Sequence, residues 1–180
     1  MTPPTLRLQV RSGPRAPRFP EEDEALGTAL WSVLGGAVAK GQAPPAAFLF
    51  SSERVYVVGL VPIIQDPRHT HRVIAALAGM EGIEVVGLVG LLFRRRPGLP
   101  TWRYAVAFLE WPDGRWWLAQ RRVDDTGRFA GDADIEVLRA VDDVPRPSGV
   151  GGWFSRARFE GLRARLDPAV PTPDREETVH

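Results

Sequence analysis

"TWRYAVAFLEWPDGRWWLAQRRV", residues 101–123, is the stretch whose reading decides the fold. Two runs rich in aromatic and β-branched residues flank Pro112, Asp113 and Gly114, a proline and glycine pair of the kind that closes a short hairpin. Alternation along the first run sets Trp102, Tyr104, Val106 and Phe108 on one face, and Arg103 and Trp111 on the other with small alanines between them. A row that apolar is more often buried than displayed, but the same rings also suit a partner interface. The run before it, "GIEVVGLVGLLF" at residues 82–93, is apolar at odd and even positions alike, which predicts a central strand covered on both faces. Gly87 and Gly90 within it suit a bend or close packing.

Further upstream, "AAFLF" and "RVYVVGLVPI" predict two more paired strands joined at Ser51 to Arg54. Pro20 and the acids from Glu21 to Glu24 open a helix whose stripe is Leu26, Leu30, Val33, Leu34 and Ala37. Gly35 and Gly36 mark either its end or a close contact. In "QDPRHTHRVIAALAG", residues 65–79, two histidines beside an acid invite a metal reading, yet Asp66 is a preferred N-cap and Pro67 a preferred first helical residue. On the resulting helix His69 and His71 diverge by about 200°, so they are expected to be exposed and to hold no ion. After Val123 an acid-rich segment predicts one helical turn from about Ala133 to Val141. "WFSRARFEGLRARLD" predicts a last helix with Phe159, Leu162 and Leu166 on one stripe, flanked by Arg156 with Arg163 and by Arg158 with Arg165.

The expected order is therefore α-β-β-α-β-β-β-α: an α+β fold with a mainly antiparallel sheet of about five strands backed by helices. By element order this resembles the roadblock, profilin-like and GAF group of small sensor and scaffold domains. Residues 1–20, with five prolines and four arginines, read as an extended or disordered arm able to add at most a short edge strand around Leu6 to Val10. Residues 21–166 form the single domain, and residues 167–180 a disordered tail.

Composition narrows function more than it names it. A net charge of +1 gives no global pull toward nucleic acid or anionic membrane, and the absence of cysteine excludes disulfides and thiolate metal sites. No leader or run of 18 apolar residues is present in the sequence, so a cytoplasmic location without membrane contact is expected. Asp132, Asp134, Glu136 and Asp143 mimic a calcium loop, but Val137 stands where the turn needs glycine. "WWLAQRR" resembles the strand before the catalytic box of Nudix hydrolases, while the spaced glutamates of that box are missing. No nucleophile elbow, phosphate loop or zinc motif occurs, so no catalytic residue, cofactor or metal is assigned.

The strongest positive signal runs from Arg94 to Arg122, where seven arginines interleave with tryptophans. Arg94, Arg95, Arg96, Arg103 and Trp111, together with Arg156 and Arg163 of the last helix, are the residues expected to meet a partner. Trp and Arg dominate protein hot spots, so the expected function is non-enzymatic binding of another protein by a scaffold or regulatory module. Nucleic acid binding through residues 94–122 and a small-ligand sensor or enzyme are the alternatives.

Overall fold

The computed structural model describes residues 19–94, 97–98, 100–142, 144–147 and 149–164. In chain order the elements are α1 (Glu21–Ala39), β1 (Ala46–Ser51), β2 (Val55–Gly59), α2 (Pro67–Ala78), β3 (Ile83–Arg94), β4 (Trp102–Glu110), β5 (Trp116–Val123), β6 (Glu136–Arg139) and α3 (Trp153–Glu160). All six strands join one antiparallel sheet in the order β2-β1-β3-β4-β5-β6. The fold is α+β, as the pattern of apolar residues requires. The arm up to residue 18 and the tail from residue 165 lie outside the described residues.

Period-two alternation splits the sheet into two apolar faces, and each receives its own helices. On one face Leu30, Leu34 and Val38 of α1 pack on Val85, Val89, Ala105, Ala107, Leu109 and Trp117. On the other, α2 and α3 bring Ile74, Leu77, Trp153 and Phe154 against Leu49, Val86, Val106, Phe108, Trp116 and Leu118. This is why β3 is apolar on both sides. Gly87 is where three elements converge: a Cβ there would lie 3.1 Å from both Leu30 and Leu109 and 3.3 Å from Phe48. The Pro112–Gly114 hairpin forms as the sequence predicts, with the Gly114 N–H bonded to the Trp111 carbonyl.

Several expectations need correction. The segment from Ala133 to Val141 supplies a sixth strand, not a helical turn: Val137 pairs with Ala119 and Leu138 with Leu118, which completes the outer edge of β5. Apolar side chains at consecutive positions serve both sheet faces, a demand that outweighs the helix-favouring acids before them. α3 ends at Gly161, which is left-handed, well before Leu166. Its buried residues are Trp153, Phe154 and Ala157, and Phe159 is 92% exposed, so Phe159 lies off the buried face; Leu162, past the helix end, is half-buried against the core as expected, and Leu166 lies outside the described residues. In α1 neither Gly35 nor Gly36 ends the helix. The close contact falls at Gly27, where a Cβ would be 2.5 Å from the Trp117 ring.

Candidate interaction surface

The residues expected to bind a partner do not assemble into one site. Trp111 is only 5% exposed; Phe19 meets it edge-on at 5.4 Å and the Arg115 guanidinium lies 5.4 Å from its ring. It belongs to the core beneath the start of α1. Arg103 is spent on the loop after β5, donating to the carbonyls of Asp124 and Asp125, the latter at 2.8 Å. Arg156 pairs with Glu160 at 2.8 Å, and Arg163 is exposed beyond the end of α3. Arg94 ends β3, and Arg95 and Arg96 lie outside the described residues. Other arginines are likewise matched to acids: Arg115 to Asp23 and Asp113, Arg122 to Asp132, Arg139 to Glu24. The aromatic region is largely core: Phe108, Trp116 and Trp117 are buried, and the half-buried Trp102 carries Arg122 on its face at 4.4 Å.

Polar groups at helix ends and in the interior hold the fold together. Asp66 caps α2 by accepting the N–H groups of Arg68 and His69, and buried Thr70 donates to the carbonyls of Ile63 and Asp66. His69 is exposed, as expected, but His71 is half-buried and structural. It lies 2.9 Å from the Gly151 carbonyl through Nε2 and 2.9 Å from Arg156 through Nδ1. A proton on Nε2 satisfies both, since Arg156 can only donate. Glu110, 2% exposed, plays the larger part. Its carboxylate accepts the N–H groups of Gly152, Trp153 at 2.8 Å and Phe154 at 3.4 Å, and faces Arg146 at 3.4 Å. The N-terminal donors and dipole of α3 thus meet a buried charge from another strand. Gly151 and Gly152 supply the left-handed backbone (φ 77° and 74°) that points those donors at it.

A depression of about 380 Å³ opens where α2 meets the end of α3, lined by Ala78, Gly79, Phe154, Ala157, Arg158 and Leu162 among others. Its walls combine alkyl groups and backbone with two arginines, Arg158, which is bonded to the Pro112 carbonyl, and Arg163. That is not a convergent set of acid, base and nucleophile. Among the described residues no group of three His, Cys, Asp or Glu side chains could hold a metal, and no helix is long and apolar enough to cross a membrane.

A different surface stands out. From Ala25 to Ala39 the helix α1 has no charged residue, yet Ala25, Thr28, Ala29, Ser32, Val33, Gly36 and Ala39 are exposed. Even its hydroxyls bond back to the helix's own carbonyls, Thr28 donating to that of Glu24 and Ser32 to that of Thr28, each at 3.0 Å. A surface helix ordinarily carries charge on its solvent side. Beside it the sheet is incompletely covered, because α1 lies over β3, β4 and β5. Glu24, Gly27 and Trp31 point toward β5 and its neighbours, contacting Arg139, Trp117 and Phe129. At about 100° per residue that leaves Leu26, Ala29 and Val33 on the flank toward β1. There the half-buried Phe48 and Phe50 stack 6.4 Å apart, flanked on β2 by their partners Val57 and Val55. Val57 is 62% exposed and Val33 57%. The result is an apolar groove between α1 and an edge strand that is itself uncharged, Val55 to Gly59, with no strand beyond it among the described residues. No family model, curated protein or solved structure matches the chain.

Sequence reasoning passed over this surface because each part reads as core. Val33 belongs to the stripe of α1, and "VYVV" looks like any strand. The available signal was fifteen consecutive helical residues without a charge, more than the burial of one face requires.

Proposed function

We propose that the protein is a non-enzymatic module that binds another protein through the groove between α1 and β2, with an apolar extended segment of the partner adding to the β2 edge. The observation that carries this reading is the uncharged solvent face of α1 running into the exposed Val33, Val55 and Val57. Contiguous exposed apolar surface marks interaction sites, and an open strand edge supplies main-chain hydrogen bonds to a strand-like ligand. Natural edge strands usually guard themselves with lysine, proline or a bulge, and β2 has none of these. A protein is favoured over nucleic acid because phosphates would have to compete with the acids and carbonyls that already hold Arg103, Arg115, Arg122 and Arg139.

The test is site-specific photo-crosslinking in the native host, with a photoreactive phenylalanine analogue at position 33, 57, 68 or 128. Positions 33 and 57 should yield adducts with the same protein, identified by mass spectrometry, and positions 68 and 128 should not. Adducts arising only from positions 68 and 128, or none at 33 and 57, would overturn the assignment of the surface.

A further inference from the structure

The edge that β2 presents is complementary to itself. We propose that, while no partner is bound, β2 pairs antiparallel with β2 of a second copy of this chain about a two-fold axis at Val57. The resting protein is then a dimer in which each copy covers the docking edge of the other. This rests on the reading of β2 as a docking edge. The hydrogen bonds of the β1–β2 hairpin decide which main-chain groups face outward. The Ser51 N–H donates to the Arg54 carbonyl and the Leu60 N–H to that of Pro45, each at 2.9 Å. Between these ends Ala47 faces Val58, Phe48 faces Val57 and Leu49 faces Tyr56. Bonded and non-bonded pairs alternate along an antiparallel ladder, so Tyr56 and Val58 bond to β1 as Arg54 and Leu60 do. The N–H and C=O groups of Val55, Val57 and Gly59 therefore point away from β1, and these are the exposed residues of the strand. No strand among the described residues receives them.

With Val57 opposite Val57 of the copy, Val55 lies opposite the copy's Gly59 and Gly59 opposite its Val55. In this register every outward donor of the strand meets an outward acceptor. The side chains agree with it. Each Val55 faces a glycine, which leaves room for its branched side chain, and the two Val57 side chains meet at the axis. On the opposite face the half-buried Tyr56 and Val58 form an aromatic and β-branched cross-strand pair with their counterparts. β2 carries no charge, and Glu53 and Arg54 come before it. In the paired strands each Arg54 lies about 20 Å from its counterpart, beyond the Debye length of about 8 Å, so no like charges oppose the contact. The arrangement is isologous and removes both open edges at once. A strand of 5 residues buries less than the standard interface of about 1,600 Å², so the dimer is weak and reversible. That suits a cover which a tighter partner displaces, because copy and partner compete for the same main-chain groups.

The test is sedimentation of the purified full chain, alone, with Val57→Glu and Val57→Lys measured separately and mixed one to one. The wild type should pass reversibly from monomer to dimer, with half of it dimeric below about 0.1 mM. Each charge variant should dimerise at least about tenfold more weakly, because like charges meet across the axis, and the mixture should return to within about threefold of the wild type. Val57→Pro removes an outward N–H while leaving the β1 ladder intact, and it should stay monomeric. A wild type still monomeric at about 0.1 mM would overturn the inference. So would dimers that ignore these substitutions, or a mixture no stronger than its separate components, since another surface or register would then make the contact. Only copies of the chain are present in this experiment. Its failure therefore leaves standing any adducts with a different protein from positions 33 and 57, and the absence of those adducts leaves the dimer standing.

Discussion

Glu110 shows how one residue sets the position of a whole element. A carboxylate that is almost fully buried is costly unless every oxygen is used, and here three backbone N–H groups and Arg146 use them. Glu110→Gln keeps the shape but turns an amide NH2 toward donors. It should cost about 2 to 3 kcal/mol in urea unfolding, with the loss concentrated in α3; a change under about 0.5 kcal/mol would show that the carboxylate does not anchor the helix. Glu24 gives a pH signature. The Arg139 guanidinium bonded to it holds its carboxyl below the ordinary glutamate range, against the opposing effect of burial. Because the folded value is the depressed one, the stabilisation is complete above the unfolded pKa of about 4.3 and disappears as pH falls through the folded value. The wild type should therefore lose stability over that acid window more steeply than Glu24→Gln, and parallel pH profiles of melting temperature would contradict the pairing.

At the scale of elements, the glycines of α1 have opposite roles. A methyl group at Gly27 would run into the Trp117 ring, whereas Gly36 has nothing within 4 Å. Gly27→Ala should destabilise by about 1 to 3 kcal/mol through overpacking, and Gly36→Ala should stabilise by up to about 1 kcal/mol through helix propensity. Equal effects in denaturant titrations would mean that packing of α1 on β5 is looser than these distances state. The same helix shows what a sequence discloses. Its existence and start follow from Pro20 and the acids, as α2 follows from Asp66 and Pro67, because caps are local chemistry. The 112–114 hairpin is equally local. α3 was misread because its face is chosen by Glu110, 43 residues before Trp153, and β6 because its partner is the edge of β5. Contacts so distant in sequence leave no periodic trace.

Over the whole molecule, the aromatic and β-branched runs of β1 to β5 and the turns between them made the antiparallel sheet legible, but the two interaction readings differ in kind. Arginines and tryptophans attract notice in a sequence, and the structure spends most of them internally, Trp111 in the core and Arg103 on a loop. The groove is conspicuous only when the placement of α1 leaves Val55 and Val57 exposed and Phe48 and Phe50 half-buried. If that surface is kept apolar for binding, charge placed there must separate binding from folding. The direct measurement is crosslinking from position 33 in a chain that also carries Val57→Glu, with the melting temperature of the same protein. Adduct yield should fall at least tenfold while the melting temperature stays within about 2 °C, as expected for a surface position. An undiminished adduct, or a fall in melting temperature large enough to explain the loss, would contradict the account.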